Sequence, residues 1–173
     1  MNQSFRLSPL IRFTLLSLYG SLMIPLPFLA KVTETPIDPL LVWLFIILGF
    51  VVLLAILSER VVVSSNGISV SYGWWVPILS GWSLPWQEIK ELKMRTTGQG
   101  GIVYYFVSNS KAHLLPMRVA GFSKLLKEIE NNTAIDTKDI APLAQPWMYL
   151  ALLVSTVPLY LVDLWVIFNV SLQ

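Results

Sequence analysis

The sequence predicts an α+β membrane protein in which a small antiparallel domain is inserted between the second and third of three transmembrane helices. Three observations carry that prediction. The 173 residues are 55% apolar and only 13% charged, whereas an ordinary soluble domain is about a quarter charged. The apolar excess is gathered into three runs, Phe13–Ala30, Pro39–Leu57 and Trp147–Phe168, and Asp163 is the only charge within them. Between the second and third runs the pattern changes to short alternating segments with turn residues, and then to a helical period.

Each run approaches the roughly 20 residues that a helix needs to cross the hydrocarbon layer. None alternates as a barrel strand does, so each reads as helix. Arg6 and Arg12 give the first run the flank of a secretory signal, but no small-x-small site is clear near Ala30, so a retained helix is expected. Pro25 and Pro27 should bend or unwind its last turn, and Pro158 should kink the third helix near its middle. Of the 12 Lys and Arg residues, Arg6 and Arg12 lie in the N-terminal tail and Lys31 in the first connection; all others lie within Ser58–Pro146. The N-terminus and the inserted domain should therefore face the cytoplasm (the stroma, if photosynthetic) and the C-terminus the opposite side, in a plasma or thylakoid membrane. Trp43, Trp147 and Trp165 read as interfacial anchors. Asp163 is an intramembrane acid and thus a candidate functional group. It is expected to face the first helix or water near Lys31, or a cation on a partner; snorkelling to the interface is the plain alternative.

Domain boundaries follow from these runs: tail and two-helix hairpin over 1–57, domain over 58–131, polar linker over 132–146, third helix and tail over 147–173. Inside the domain, Arg60–Ser64 and Ile68–Tyr72 flank Asn66-Gly67, a hairpin signal because both central residues should accept positive φ. Further strands are expected around Trp82–Leu84, Glu91–Arg95, Ile102–Val107 and Ala112–Leu115, with Gly98–Gly101 as a flexible connection. Phe122, Leu125, Leu126 and Ile129 then recur at i, i+3, i+4 and i+7, which is an amphipathic helix opened by Gly121 and closed near Asn131-Asn132.

Gly67-Ile68, Pro85-Trp86-Gln87-Glu88-Ile89, Tyr104-Tyr105-Phe106, Leu115-Pro116 and Phe122 with Leu125-Leu126 follow two membrane helices in this order. In that order the chain resembles the bacterial pleckstrin-homology-like (PH-like) membrane proteins over about half its length. The resemblance implies a bent, mostly antiparallel PH-like sheet closed by a C-terminal helix; the third membrane helix departs from the commonest two-helix layout. The layout is also similar to a photosystem I assembly-factor family, in order and spacing rather than in residues.

Little here points to chemistry. Without Cys, disulfides and thiol catalysis are excluded, and one His cannot form a His-rich metal site. A net charge of +2 is too small for a dedicated nucleic-acid binder. His113 has no acid near it in sequence, Gly98–Gly101 lacks the Lys-Ser/Thr and the helix of a P-loop, and Glu88 and Glu91 lie among Lys90 and Lys93. No enzyme, no cofactor and no small-molecule substrate are expected.

Four of the seven Trp residues fall in one stretch, Trp74-Trp75-Val76-Pro77-Ile78-Leu79 with Trp82 and Trp86 close behind. Three readings compete for it: a core loop, a loop dipping into the membrane interface, or a docking site for a partner. In PH-like proteins basic residues commonly surround the first hairpin loop, but Ser64-Ser65-Asn66-Gly67 has none, which counts against phosphoinositide-type recognition. Lys90, Lys93 and Arg95 are the remaining candidates for weak contact with anionic lipid. The function expected is therefore non-catalytic: an assembly, stabilising or accessory factor of an integral-membrane protein complex, photosynthetic in the layout resemblance, with anionic-lipid binding as the alternative.

Overall fold

The computed structural model describes residues 3–33, 36–98, 100–109, 111–142 and 146–171; Gln99 of the glycine-rich connection and the last residues of the linker lie outside them. Along the chain run β1 (Gln3–Arg6), α1 (Pro9–Met23), α2 (Leu26–Val32), α3 (Pro39–Ile56), β2 (Arg60–Val63), β3 (Gly67–Ser71), β4 (Trp82–Pro85), β5 (Glu91–Thr96), β6 (Ile102–Val107), β7 (Ala112–Leu114), α4 (Phe122–Thr133) and α5 (Pro146–Ser171). They form two compact units. One joins Met1–Ser8 to Ser58–Gln145; the other joins Pro9–Leu57 to Pro146–Gln173.

The first unit is α+β, with antiparallel sheets of order β1-β2-β3-β4 and β5-β6-β7. Its largest departure from the sequence reading is β1. Residues assigned to a tail form a strand that pairs with β2, Phe5 opposite Val61 and Arg6 opposite Arg60. The strand is also held on its other side, where Ala120 N–H donates to Arg6 O and Leu7 bridges to Val119. The domain is thus discontinuous in sequence, and the hairpin of helices interrupts it.

Alternation places Phe5, Val61, Val63, Ile68, Val70 and Leu84 on one face, where they pack against Phe106, Leu115 and the α4 stripe Phe122, Leu125, Leu126 and Ile129. The β2–β3 hairpin forms without the expected turn: neither Asn66 nor Gly67 is among the positive-φ residues. Instead Ser64 closes it, its N–H and Oγ both donating to Gly67 O at 2.9 and 3.1 Å. Gly67 is needed for a different reason, because a Cβ there would run into the Leu84 carbonyl of β4. Gly121, at φ 78°, opens α4 as expected. The first part of the linker is not free: Thr137 is buried, Ile135 and Ile140 pack on the core, and Tyr104 donates to Asp139 O.

The second unit is helical. Pro9–Val32, Pro39–Ile56 and Pro146–Val170 are each long and apolar enough to cross a membrane. The first begins earlier than Phe13, with Pro9 at its start, and breaks between α1 and α2 at Pro25, as the prolines require. α5 remains helical through Pro158. Side-chain contacts set the directions. Tyr19 donates to Ile46 O and Phe28 meets Trp43 edge-on, so the first stretch and α3 are antiparallel. Thr14 donates to Tyr149 O, Ser17 bonds Thr156 and Tyr160 donates to Ser17 O, so α1 and α5 run parallel.

Candidate functional site

The Trp-rich stretch divides in two. Trp86 is 5% exposed and belongs to the core. Its indole N–H donates to Ser64 O and its backbone N–H to Asn66 O, so it locks the β2–β3 turn and offers nothing to a partner. Trp82 stands opposite Val70 on the inward face of β4, meets Phe106 edge-on and stacks on His113 with ring centroids 4.6 Å apart. Trp74 and Ile78 point the other way: they are 94% and 91% exposed, with Trp75 and Pro77 exposed beside them and Leu79 half-buried. The loop is pinned at its base, where Gly73 N–H donates to Ser58 Oγ at 2.9 Å and Val76 N–H to Gly73 O. A loop that is fixed at its root and presents large apolar side chains to solvent has the form of an interaction element.

Between the two sheets lies an open polar cleft of about 380 Å³, lined by Trp82, Ser83 and Glu88 on one side and Ser108, Lys111 and His113 on the other. Among the described residues β4 and β7 each end a sheet here, so each presents a row of backbone groups without a strand partner. His113, expected on a strand surface, is half-buried by its stack on Trp82.

The three basic candidates do not converge. Lys93 and Arg95 share one face of β5 with Glu91, all exposed, whereas Lys90 precedes the strand on the opposite parity. A second cavity, about 260 Å³ and mostly apolar, has Glu59 and Arg118 among its lining residues. Burial pushes the Glu59 carboxyl above its usual range, and the Arg118 charge pulls it back in part. Nothing in the local sequence around Glu59 or Arg118 marks this pair, because the two lie far apart in the chain and come together only at the cavity wall.

In the helical unit Asp163 is 5% exposed, and its Oδ2 has no hydrogen-bond partner among the described residues. It continues the stripe of Thr156 and Tyr160, four and then three residues apart, which faces α1. Lys31 is exposed in the last turn of α2, and no ion pair joins it to Asp163 among the described residues. A snorkelling carboxylate does not fit a side chain buried to this degree. Among the described residues no cluster of His, Asp and Glu could hold a metal ion.

Residues 9–138 match the bacterial PH domain family. The chain is also 52% identical over 157 residues to the uncharacterized protein slr0269 of Synechocystis sp., an alignment that covers 88% of this chain and 79% of that one. No solved structure matches. The chain belongs to the bacterial PH domain family. The family match takes in the helical hairpin together with β2 to α4, while β1 and α5 lie outside it.

Proposed function

We propose that this member of the bacterial PH domain family is a non-catalytic accessory protein that stabilises or helps to assemble an integral-membrane protein complex. One observation supports this reading above the others. β1, ahead of the first candidate span, is hydrogen-bonded to β2, which follows the second. The pairing joins the chain on both sides of the hairpin into one domain, so a hairpin held in a membrane would tether that domain at both ends. A module recruited from solution needs lipid affinity to find the membrane, but this one has its location built into the chain. Its surface is then free to recognise protein.

The same pairing requires an even number of crossings between β1 and β2, and the parallel run of α1 and α5 fits a C-terminus on the opposite side. With the Lys and Arg distribution, this supports our reading of a cytoplasmic domain. The unpaired edges of β4 and β7 beside the polar cleft are the surface to which a partner segment would add, by strand augmentation. Nothing in the comparisons supports the photosystem I layout resemblance, so the proposal names no photosynthetic partner.

The test is a photo-crosslinker placed at Lys111 in the full-length protein in native membranes, with Lys127 on α4 as the comparison. A discrete protein adduct from Lys111 that is absent from Lys127 is expected. Adducts to lipid alone, together with a strictly monomeric species on a native gel, would remove the reading. A second reading, weak attraction of anionic lipid, rests on Lys93 and Arg95 sharing one exposed face; loss of vesicle binding on their charge reversal separates it from the first.

A further inference from the structure

We infer that the end of the first sheet carrying Arg6, Arg60 and the Trp74–Ile78 loop is a lipid-contacting footprint: the loop inserts into the interface of the protein's own membrane, and the two guanidinium groups take anionic lipid phosphates.

Chain connectivity locates this end. α3 stops at Ile56, so the hydrocarbon layer ends close to that residue. Ser58 follows almost at once, and its hydroxyl holds Gly73, the residue just before Trp74. At about 3.4 Å per extended residue, Trp74 cannot lie more than roughly 20 Å from the end of the span and Ile78 roughly 30 Å, so the loop is tied to the end of the domain from which the span departs. The other chain entry agrees. Arg6 is three residues before Pro9, where α1 starts, and its strand neighbour is Arg60, whose own neighbour in β3 is Ser71 at the start of the loop. Both places where the chain leaves the domain for the first two spans therefore lie at this end of the sheet.

The side chains suit that address. Trp prefers the interface because it has an apolar ring and one N–H donor. Trp74 and Ile78 gain nothing from the domain, since almost all of their surface is outside it. Arg6 and Arg60 form a directly opposed like-charge pair on the outward face, an unfavourable arrangement unless an anion lies across both. Both are exposed, and neither makes an ion pair among the described residues. Lipid phosphate is the anion that is abundant at this height, and guanidinium is the group that matches it in shape. The footprint uses none of Lys90, Lys93 and Arg95, and it stands whether or not a partner occupies the β4–β7 cleft.

The absence of Cys makes the test direct. Ile78→Cys is labelled with an environment-sensitive fluorophore in the full-length protein, reconstituted in vesicles of phosphatidylcholine with or without phosphatidylglycerol. Ser65→Cys, exposed at the opposite end of the β2–β3 hairpin, is the control. Both positions tolerate substitution because neither side chain is packed. The expected result at Ile78 is blue-shifted emission, quenched by a shallow lipid-borne quencher and protected from aqueous iodide; Ser65 should show the reverse. Arg6→Gln with Arg60→Gln should reduce the blue shift only when phosphatidylglycerol is present, by about fivefold in the inserted population for each charge removed. Iodide quenching at Ile78 equal to that at Ser65 overturns insertion. Shielding that appears only with a co-purified protein also overturns it, in favour of a protein contact. An unchanged shift in the double Gln variant overturns the phosphate assignment.

Discussion

The two units of this protein are built inside out with respect to one another. In the PH-like domain the buried residues are Val61, Ile68, Phe106, Leu115, Leu125 and Ile129, while Lys and Glu cover the surface. In the helical unit Thr14, Ser21, Thr156 and Asp163 are buried, and Leu, Val, Ile and Phe side chains are exposed. With the three apolar helices read as membrane spans, each unit follows its solvent. Water expels apolar area, so the domain core is apolar and its cohesion scales with area. Lipid gives no such push, because a Leu in contact with an acyl chain is as content as a Leu in contact with another helix. The helices therefore meet through small residues and hydroxyls: Gly49 faces the Tyr19 hydroxyl, Gly20 faces Tyr160, and Ser17 bonds Thr156. Hydropathy thus marks where the helices are, but it does not say which faces join.

The contrast can be broken most forcefully at Phe106. Phe106→Ala empties the centre of the domain and should cost it about 3–5 kcal/mol. In detergent, the domain transition followed by protease resistance should collapse while helical circular dichroism of the spans persists; joint loss of both would show that the units do not differ in this way. Next in size is Gly49→Leu, which puts a side chain where the Tyr19 hydroxyl sits. Overpacking of this kind costs about 1–3 kcal/mol, read as a lower midpoint for loss of the α1–α3 contact, with the domain transition unmoved. Tyr160→Phe removes one bond of the α1–α5 seam, the 2.9 Å donation to Ser17 O. Its expected cost is about 0.6 kcal/mol, as for other bonds between membrane helices, and a much larger loss would mean that hydroxyls rather than close packing hold the seam.

The smallest effect is at Glu59. The unfolded chain loses this proton near the ordinary carboxyl value of 4.5, and the folded domain loses it only at higher pH, since burial outweighs the pull of Arg118. The folded state thus binds more protons through that window, so stability falls as pH rises across it and stays lower above it. Glu59→Gln should raise the domain's stability at neutral pH by less than about 0.5 kcal/mol and leave it unchanged well below pH 4.5. A lower midpoint at neutral pH would show that the Arg118 attraction dominates.

What could be read in the sequence follows from how local each signal is. β2, β3, β6 and α4 are written in consecutive residues, Ile102–Val107 by its β-branched and aromatic side chains and α4 by its i, i+3, i+4 stripe. Pro25 announced its own break. β1 was hidden because only Phe5 and Leu7 alternate there, and because its partner lies beyond the whole hairpin. For the same reason no scan for clustered basic residues could find Arg6 beside Arg60. The Trp stretch was recognisable as unusual but not as divided: whether Trp86 or Trp74 enters the core depends on the 3-10 turn at Trp86–Glu88 and on the Gly73–Ser58 bond, neither of which a composition reveals.

The position of β1 also orders events during synthesis. Its residues are made before the hairpin, yet the edge they join does not exist until both helices of the hairpin and β2 have been made. N-terminal parts of most domains begin to fold as they emerge, but here β1 has to wait for the hairpin and β2 behind it. If the hairpin enters the bilayer the wrong way round or only halfway, Gln3–Arg6 and Arg60–Val63 finish on different sides, and β2 keeps a bare, Val-rich edge. With the hairpin read as a membrane insertion, a completed sheet would report that both of its ends had returned to one side.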